Sequence, residues 1–423
     1  MVANVWWRVA WRNLWRNRRR TLITASALAI GFFGAVLMVA VDDGIRVELV
    51  ENGTGVLTGQ LQLHARDWRP EHSLYATIGG DAGTDVDALL RRIRAVPAVS
   101  AAAPRVWAGG LLSAGSRTEG ALLMGADPVL ERGVSRILDA LVAGRLPAAG
   151  AKELLVGSEL ARKLRVGPGA ELVLVAPAAD GSMGNDVFRV SGVFRSGLDQ
   201  LDGAYAILPL ATLQTLLALD LRRIHEVAVA LPDPWAAPAA ARAIAAAVGA
   251  GAGGGPHSLA VEPWSEFSPE IASYAQLIEA SNALIVGIVF VFAIFGVANT
   301  SLMGTYERRR EFAVVRALGV GPAGVARTVV YESLALGLLG LAAGVVITAP
   351  VLVLWHAHPL NLAGLIGDME LAGALLRPIL RVEYSVDGPI LGAVGLLVTA
   401  VVAALYPAVR AARVPPADAL AGR

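Results

Sequence analysis

The sequence predicts a polytopic α-helical membrane protein with four transmembrane helices and a large extracytoplasmic α+β domain between helices 1 and 2. Mean hydropathy is +0.57, and 55% of the 423 residues are hydrophobic, above the usual share for a soluble chain. Four predominantly apolar runs, at residues 21–41, 280–305, 328–355 and 389–406, are each long enough to cross a hydrocarbon core of about 30 Å. The net charge of +1 hides an asymmetry: arginines crowd residues 8–20 and 308–327, while acids concentrate between Asp42 and Glu279. Such a pattern orients a chain in a membrane and does not describe a nucleic-acid binder.

Residues 1–20 read as an interfacial amphipathic helix. Trp7, Trp11 and Trp15 recur every four residues, as do Arg8, Arg12 and Arg16, so indoles can sit among headgroups while guanidinium groups face phosphate. Residues 21–51 form transmembrane helix 1 and a stalk. At 1.5 Å per residue that stretch reaches roughly 45 Å, more than the membrane core needs. Ile45, Leu49 and Val50 keep an apolar face beyond the solvated Asp42-Asp43 pair, and Asn52-Gly53 is the first stop signal.

Residues 52–267 contain no span-length apolar run. Residues 59–64 alternate like a strand, and 85–95 read as a helix with Leu89, Leu90 and Ile93 inward. Short strands follow at 153–156, 171–175, 187–194 and 226–231 between Gly/Pro turns, with helices at 158–164 and 238–248. Residues 177–185 make a hairpin tip, and 249–256 a glycine linker.

Ser268-Pro269-Glu270 is a helix start, with a capping serine and proline at the first position. The helix over 268–305 is again stalk plus span, roughly 55 Å long. Its Gly287, Gly296, Asn299, Thr300 and Ser301 suit close helix packing or a contact with another chain. Residues 306–321 form a short charged helix at the membrane surface: Phe312, Val315 and Leu318 recur at spacing three, Arg309 and Arg316 share a neighbouring face, and Glu307 and Glu311 flank the arginines. Gly319 and Pro322 stop it. The third span, 322–356, carries Gly337, Gly340 and Gly344 for close packing. It also carries Glu332, an intramembrane acid that is either functional or paired with Arg327 at the interface. A small outer segment at 357–388, the fourth span at 389–409 and a tail at 410–423 complete the chain. Local arginine counts put the N-terminus, residues 306–321 and the tail in the cytoplasm.

No G-x-x-x-x-G-K-[ST] loop surrounds Lys152 or Lys163, so ATP is not bound by that route. The chain has no cysteine, which excludes disulfides and thiolate chemistry. His356-Ala-His358 lacks a third ligand nearby, and neither a nucleophile elbow nor an H-E-x-x-H motif occurs. No catalytic, cofactor-binding or metal residue is expected, and the chain reads as non-catalytic.

The residues resemble a known family. Glu307-Arg-Arg-Arg-Glu-Phe-Ala-Val-Val-Arg-Ala-Leu-Gly319 is similar to the R-R-x-E-[IF]-x-x-x-R-A-[LM]-G helix of the FtsX/MacB/LolC-type permeases of ABC transporters. Glu332 followed by Gly337, Gly340 and Gly344 resembles the opening of their third span. Tyr406-Pro-Ala-Val-Arg-Ala-Ala-Arg-Val-Pro-Pro-Ala-Asp-Ala-Leu420 resembles their tail, and Gly125-Ala-Asp-Pro128 and Gly157-Ser-Glu-Leu-Ala161 are also family-like. The resemblance implies two ABC ATPase subunits that bind the ATP, and a second permease chain, identical or homologous. It implies an outer domain with a porter-like part and a β-rich insert at about 115–205. It further implies that the 306–321 helix docks on the ATPase, with Phe312, Val315 and Leu318 as its apolar knob and Glu307, Arg309, Glu311 and Arg316 as its charges. ATP-driven movement then reaches the outer domain, and no cargo passes through the membrane. The family does not fix the cargo. Lipoprotein release, as in LolC and LolE, is expected from the LolC-like length, the lack of a fused ATPase and an outer domain that is not strongly basic. Export of peptides or small toxic compounds, and signalling to cell-wall hydrolases, are the alternatives. An acyl chain would pass near the stalks, where Leu49 and Leu277 are the candidates, and the location would be a bacterial inner membrane with the large domain in the periplasm.

Overall fold

The backbone of this computed structural model, which describes all residues except 1, 70, 81–83, 251–257, 363–364, 366–368, 372–373, 377–378, 384–385 and 416–423, opens with two helices. These are α1 (Val2–Arg16) and α2 (Arg18–Gly55). Next come β1 (Leu61–Ala65), β2 (Ile78–Gly79), α3 (Val86–Arg94), β3 (Ala101–Ala114), β4 (Arg117–Ala126), α4 (Pro128–Glu131) and β5 (Leu141–Gly144). They are followed by β6 (Glu153–Gly157), α5 (Ser158–Leu164), β7 (Glu171–Pro177), β8 (Met183–Phe194), α6 (Asp199–Ala204), β9 (Tyr205–Pro209) and α7 (Leu210–Leu216). Then β10 (Arg223–Ile224), β11 (Glu226–Ala230), α8 (Ala237–Val248), β12 (Leu259–Pro263) and α9 (Trp264–Phe267) lead into α10 (Pro269–Glu307). The chain ends with α11 (Arg309–Ala317), α12 (Pro322–Ala357), two short strand pairs and α13 (Asp387–Ala412). Most of the glycine linker and the end of the family-like tail lie outside the described residues.

Helices α2, α10, α12 and α13 are long and apolar enough to cross a membrane. Two compact units result, one made of Met1–Arg46, Gln276–Ile366 and Pro378–Arg423, the other of Val47–Ala275 and Gly367–Arg377. In the first, Leu28, Phe32 and Val36 of α2 form a core with Val297, Leu352, Leu396 and Ala403 from the other spans. The α12 glycines make that core possible. A Cβ on Gly340 would sit 2.7 Å from Leu28 Cβ, one on Gly344 2.8 Å from Phe32 Cδ1, and one on Gly337 2.8 Å from Ala400 Cβ. Side chains there would separate the helices. Gly340→Val should therefore destabilise the bundle by about 1–3 kcal/mol through overpacking, read as a lower unfolding temperature of the detergent-purified chain. Gly287→Ala is the control, because a Cβ there meets nothing within 4 Å. Among the described residues Gly287 and Gly296 thus serve no close packing, contrary to one of the two roles expected from their size. They lie on α10, the least enclosed span, with 11% of its apolar window buried against 28–39% in the others.

The second unit is built on a 10-stranded sheet in the order β12-β1-β11-β3-β4-β9-β6-β8-β5, with β7 pairing β3 and β8. The Asp85 carboxylate accepts from the Asp87 and Ala88 amides and caps α3, whose Leu89, Leu90 and Ile93 are buried. All five residues of β1 are buried, in place of the expected one-sided alternation, and the strand lies between β11 and β12. The β3–β4 hairpin turns at Gly115, where φ is +60°, a conformation that suits the twist of a tight hairpin and favours glycine.

Asn52-Gly53 does not stop the first long helix; α2 continues to Gly55. The Thr54 hydroxyl donates to the Val50 carbonyl at 2.7 Å, and Gly53 leaves room for the side chain of Ile271 from α10. Leu49 lies one turn earlier on that same closed face and is fully buried.

Candidate functional site

The helical path of α10 breaks at Arg308, where φ is −103° and ψ 14°, and α11 starts one residue later. A helix this short can bury only one face, and the largest apolar side chain takes it. Phe312 is 5% exposed and packs on Val325 and Val329 of α12 and on Ala408 and Ala411 of α13, with the Arg308 guanidinium 5.2 Å from the ring centroid. This corrects the reading of Phe312 as an outward knob. The small alanines of α13 leave a seat for it, and the stripe expected to join it to Val315 and Leu318 is split. Val315 is 38% and Leu318 80% exposed, and Arg309 is exposed on another side of the helix.

Several charges in and around α11 pair within the chain, while Arg309 and Arg310 stay exposed. One Arg16 nitrogen donates to Glu311 Oε2 at 3.0 Å, and its second nitrogen reaches Oε1. Arg308 Nε donates to the same Glu311 oxygen at 3.2 Å, and Arg308 Nη1 to Glu332 Oε2 at 2.7 Å. Arg20 Nη1 lies 3.5 Å from Glu307 Oε2. Arg316 Nη1 donates to the Val414 carbonyl at 2.5 Å, so Arg316 ties α11 to the chain beyond α13 and does not face outward. Glu332 is paired, but with Arg308 and not with Arg327. Five residues along a helix is about 140° of rotation, which turns Arg327 away from the Glu332 face. The hydrogen bond from Arg16 holds the Glu311 carboxyl below the usual carboxylate range; burial opposes this and Arg308 adds to it. Arg16, Arg20, Glu307, Arg308 and Glu332 line a polar cavity of about 240 Å³, together with Thr24, Thr300 and Ser333.

Of the expected coupling residues, Arg309, Val315 and Leu318 are left to face outward, while Glu307, Glu311, Phe312 and Arg316 are engaged within the chain. Leu277 is 58% exposed on α10. The buried Leu49 cannot meet cargo in this arrangement, which corrects its place on the cargo path. The sequence reading missed Arg16, Arg20 and Arg308 as partners, although their number matches the acids Glu307, Glu311 and Glu332.

A second charged cluster, in the sheet unit, was also missed. Arg105 donates from Nε to Glu131 at 3.0 Å, from Nη2 to Glu131 at 2.6 Å and from Nη1 to Glu226 at 3.1 Å. All three side chains are at most 1% exposed. Arg105 Nη2 also donates to the Leu57 carbonyl at 2.5 Å. Burial alone would lower the guanidinium pKa, but the two carboxylates overrule it and raise it. The cluster joins β3, α4 and β11 to the chain leaving α2. Beside it, burial pushes His225 down to about 4, overriding the Leu74 carbonyl. The neutral ring accepts the Trp107 amide at Nδ1, 2.8 Å away, and so donates from Nε2 to the Leu74 carbonyl at 3.0 Å.

Four span-length helices, an α/β unit between the first two and a short helix between the second and third define a polytopic membrane protein. Residues 21–247 match the MacB-like periplasmic core domain, more than half of the chain, and residues 283–416 match the FtsX-like permease C-terminal family. The chain belongs to the FtsX/MacB/LolC-type permeases of ABC transporters. It is 25% identical over 403 residues to the lipoprotein-releasing system transmembrane protein LolC of Xylella fastidiosa (strain Temecula1), covering 92% of this chain and 94% of that one. It is also 25% identical over 417 residues to LolC of Neisseria meningitidis serogroup B, covering 95% of this chain and 93% of the relative. Among solved structures, the periplasmic region of MacB from Actinobacillus actinomycetemcomitans aligns with a TM-score of 0.35 and 14% identity, over 54% of this chain and 95% of that one. The chain is thus a multi-pass membrane protein with a periplasmic domain.

Proposed function

We propose that this chain is the permease subunit of an ABC transporter that releases lipoproteins from the inner membrane, with ATP hydrolysed by a separate subunit. The observation that carries this is the end-to-end similarity to LolC, over 92% and 95% of this chain in two relatives. With the domain between the first two spans in the periplasm, alternation of the spans places α11 on the cytoplasmic side. Its outward Val315 and Leu318 are then the apolar surface offered to the ATPase, with the exposed Arg309 as a steering charge elsewhere on the helix. Helices α2 and α10 each contribute residues to both compact units, so displacement at the cytoplasmic end has an unbroken helical route to the periplasmic domain. The transporter would hold two ATPase subunits and a second permease chain, identical or homologous.

The cargo class is tested at Leu277, the exposed member of the original pair of positions. A photocrosslinker there should capture an acylated lipoprotein in energised membranes, and capture should fall when the acylation cysteine of the cargo is replaced. Equal capture of the non-acylated variant would overturn lipoprotein release and favour export of peptides or signalling to cell-wall hydrolases.

A further inference from the structure

We infer that α1 is a working strut of the transporter and that Arg16 is a positioning residue for α11, so that load arriving at α11 is delivered to α2 as well as to α10. The role in load transfer rests on the permease reading above; the clasp itself does not.

Arg16 is the last residue of α1 and grips Glu311 with two nitrogens, a forked geometry that fixes direction as well as distance. The pair is exposed, with 58% and 44% of the two side chains open to solvent. Exposed pairs add little to stability while they order two long side chains. A pair of this kind is better suited to setting the place of a helix than to holding a fold together. It also stands at the head of a series. Arg308 is shared between Glu311 and Glu332, so charges alternate from α1 through α11 to α12. Arg20 to Glu307 runs beside it, from α2 to the end of α10.

The strut is stiff at its other joints. Only Asn17 separates α1 from α2, and that corner is bonded: the Thr21 amide donates to the Asn17 carbonyl at 3.1 Å and the Thr21 hydroxyl to the Leu14 carbonyl at 2.6 Å. Trp7 meets Tyr331 of α12 edge to face, with centroids 6.4 Å apart. A Cβ on Gly324 would lie 3.2 Å from the Trp6 ring. Moving α11 therefore draws on α1, and the bonded elbow passes that movement to α2. Without Arg16, α11 loses its direct grip on α1 and keeps the chain to α10, where Arg20 and Glu307 pair, and its seat on α12 and α13.

The test uses the full chain in lipid nanodiscs, read by hydrogen–deuterium exchange. Arg16→Glu should speed amide exchange across residues 309–317 while the β-sheet and the interior of α12 keep wild-type rates. Glu311→Arg should do the same, and the Arg16→Glu/Glu311→Arg double variant should restore protection. Arg16→Gln, which keeps polarity without like-charge repulsion, should give an intermediate rate. Unchanged exchange in Arg16→Glu and Arg16→Gln, or a double variant no better than its parents, would overturn the clasp. In membranes that also hold the ATPase subunit, Arg16→Glu should keep basal ATP turnover and lose its stimulation by cargo, with the double variant regaining it. Restored exchange without any change in stimulation would overturn the load-bearing role. A wild-type chain that recruits no ATPase would instead count against the permease reading.

Discussion

Replacing Arg105 with methionine should destabilise the periplasmic unit by about 3–5 kcal/mol, the usual loss when one partner of a buried ion pair is removed. The reason is local. Glu131 and Glu226 are at most 1% exposed, so without the guanidinium two carboxylates face each other in a site closed to water. The Ser135 hydroxyl, which donates to Glu131 at 2.5 Å, cannot neutralise either of them. Scanning calorimetry of the purified full chain should show a lower first transition. Adding Glu131→Gln and Glu226→Gln should recover part of the loss, because neutral amides remove the repulsion. An unaltered transition in Arg105→Met would mean that the unit can open this cluster to solvent without unfolding.

Phe312→Ala should lower the stability of the bundle by a similar amount, about 3–5 kcal/mol for a truncated buried phenylalanine. Its ring fills the seat between Val325, Val329, Ala408 and Ala411, and an alanine would leave that seat empty. Membrane abundance and the unfolding temperature of the purified chain should both fall, and α11 should loosen with them. Leu318→Asp makes the contrast. Leu318 is 80% exposed, so stability should hold while ATPase association weakens. Normal abundance and an unchanged unfolding temperature in Phe312→Ala would contradict the inward packing.

Local signals were legible in the sequence where one residue type decides a structure. Asp85 announces the start of α3, and the spacing of Leu89, Leu90 and Ile93 announces its buried face; Ser158–Leu164 is a helix, as its neighbours suggest. The β3–β4 hairpin was not legible. Its residues include runs of alanine and glycine, which carry weak strand preference, and pairing on both sides supplies what propensity does not. The direction of Phe312 was hidden for another reason. Periodicity shows that a helix has an apolar stripe, but not whether the stripe meets its own bundle or a partner. Only the alanines at 408 and 411, far along the chain, decide that. The Arg105 cluster depends on residues 26 and 121 positions away, beyond the reach of any local pattern.

The glycine row of α12 has a consequence for biosynthesis. Leu28 and Phe32 of α2 are seated only when Gly340 and Gly344 arrive, and the entire periplasmic domain is translated in between. At bacterial elongation rates that interval is on the order of tens of seconds. During it the face of the first span that α12 will seal lacks that partner. Assembly of this membrane domain is therefore a delayed docking of late helices onto an early one, and the first span has to tolerate solitude in the bilayer before it acquires neighbours.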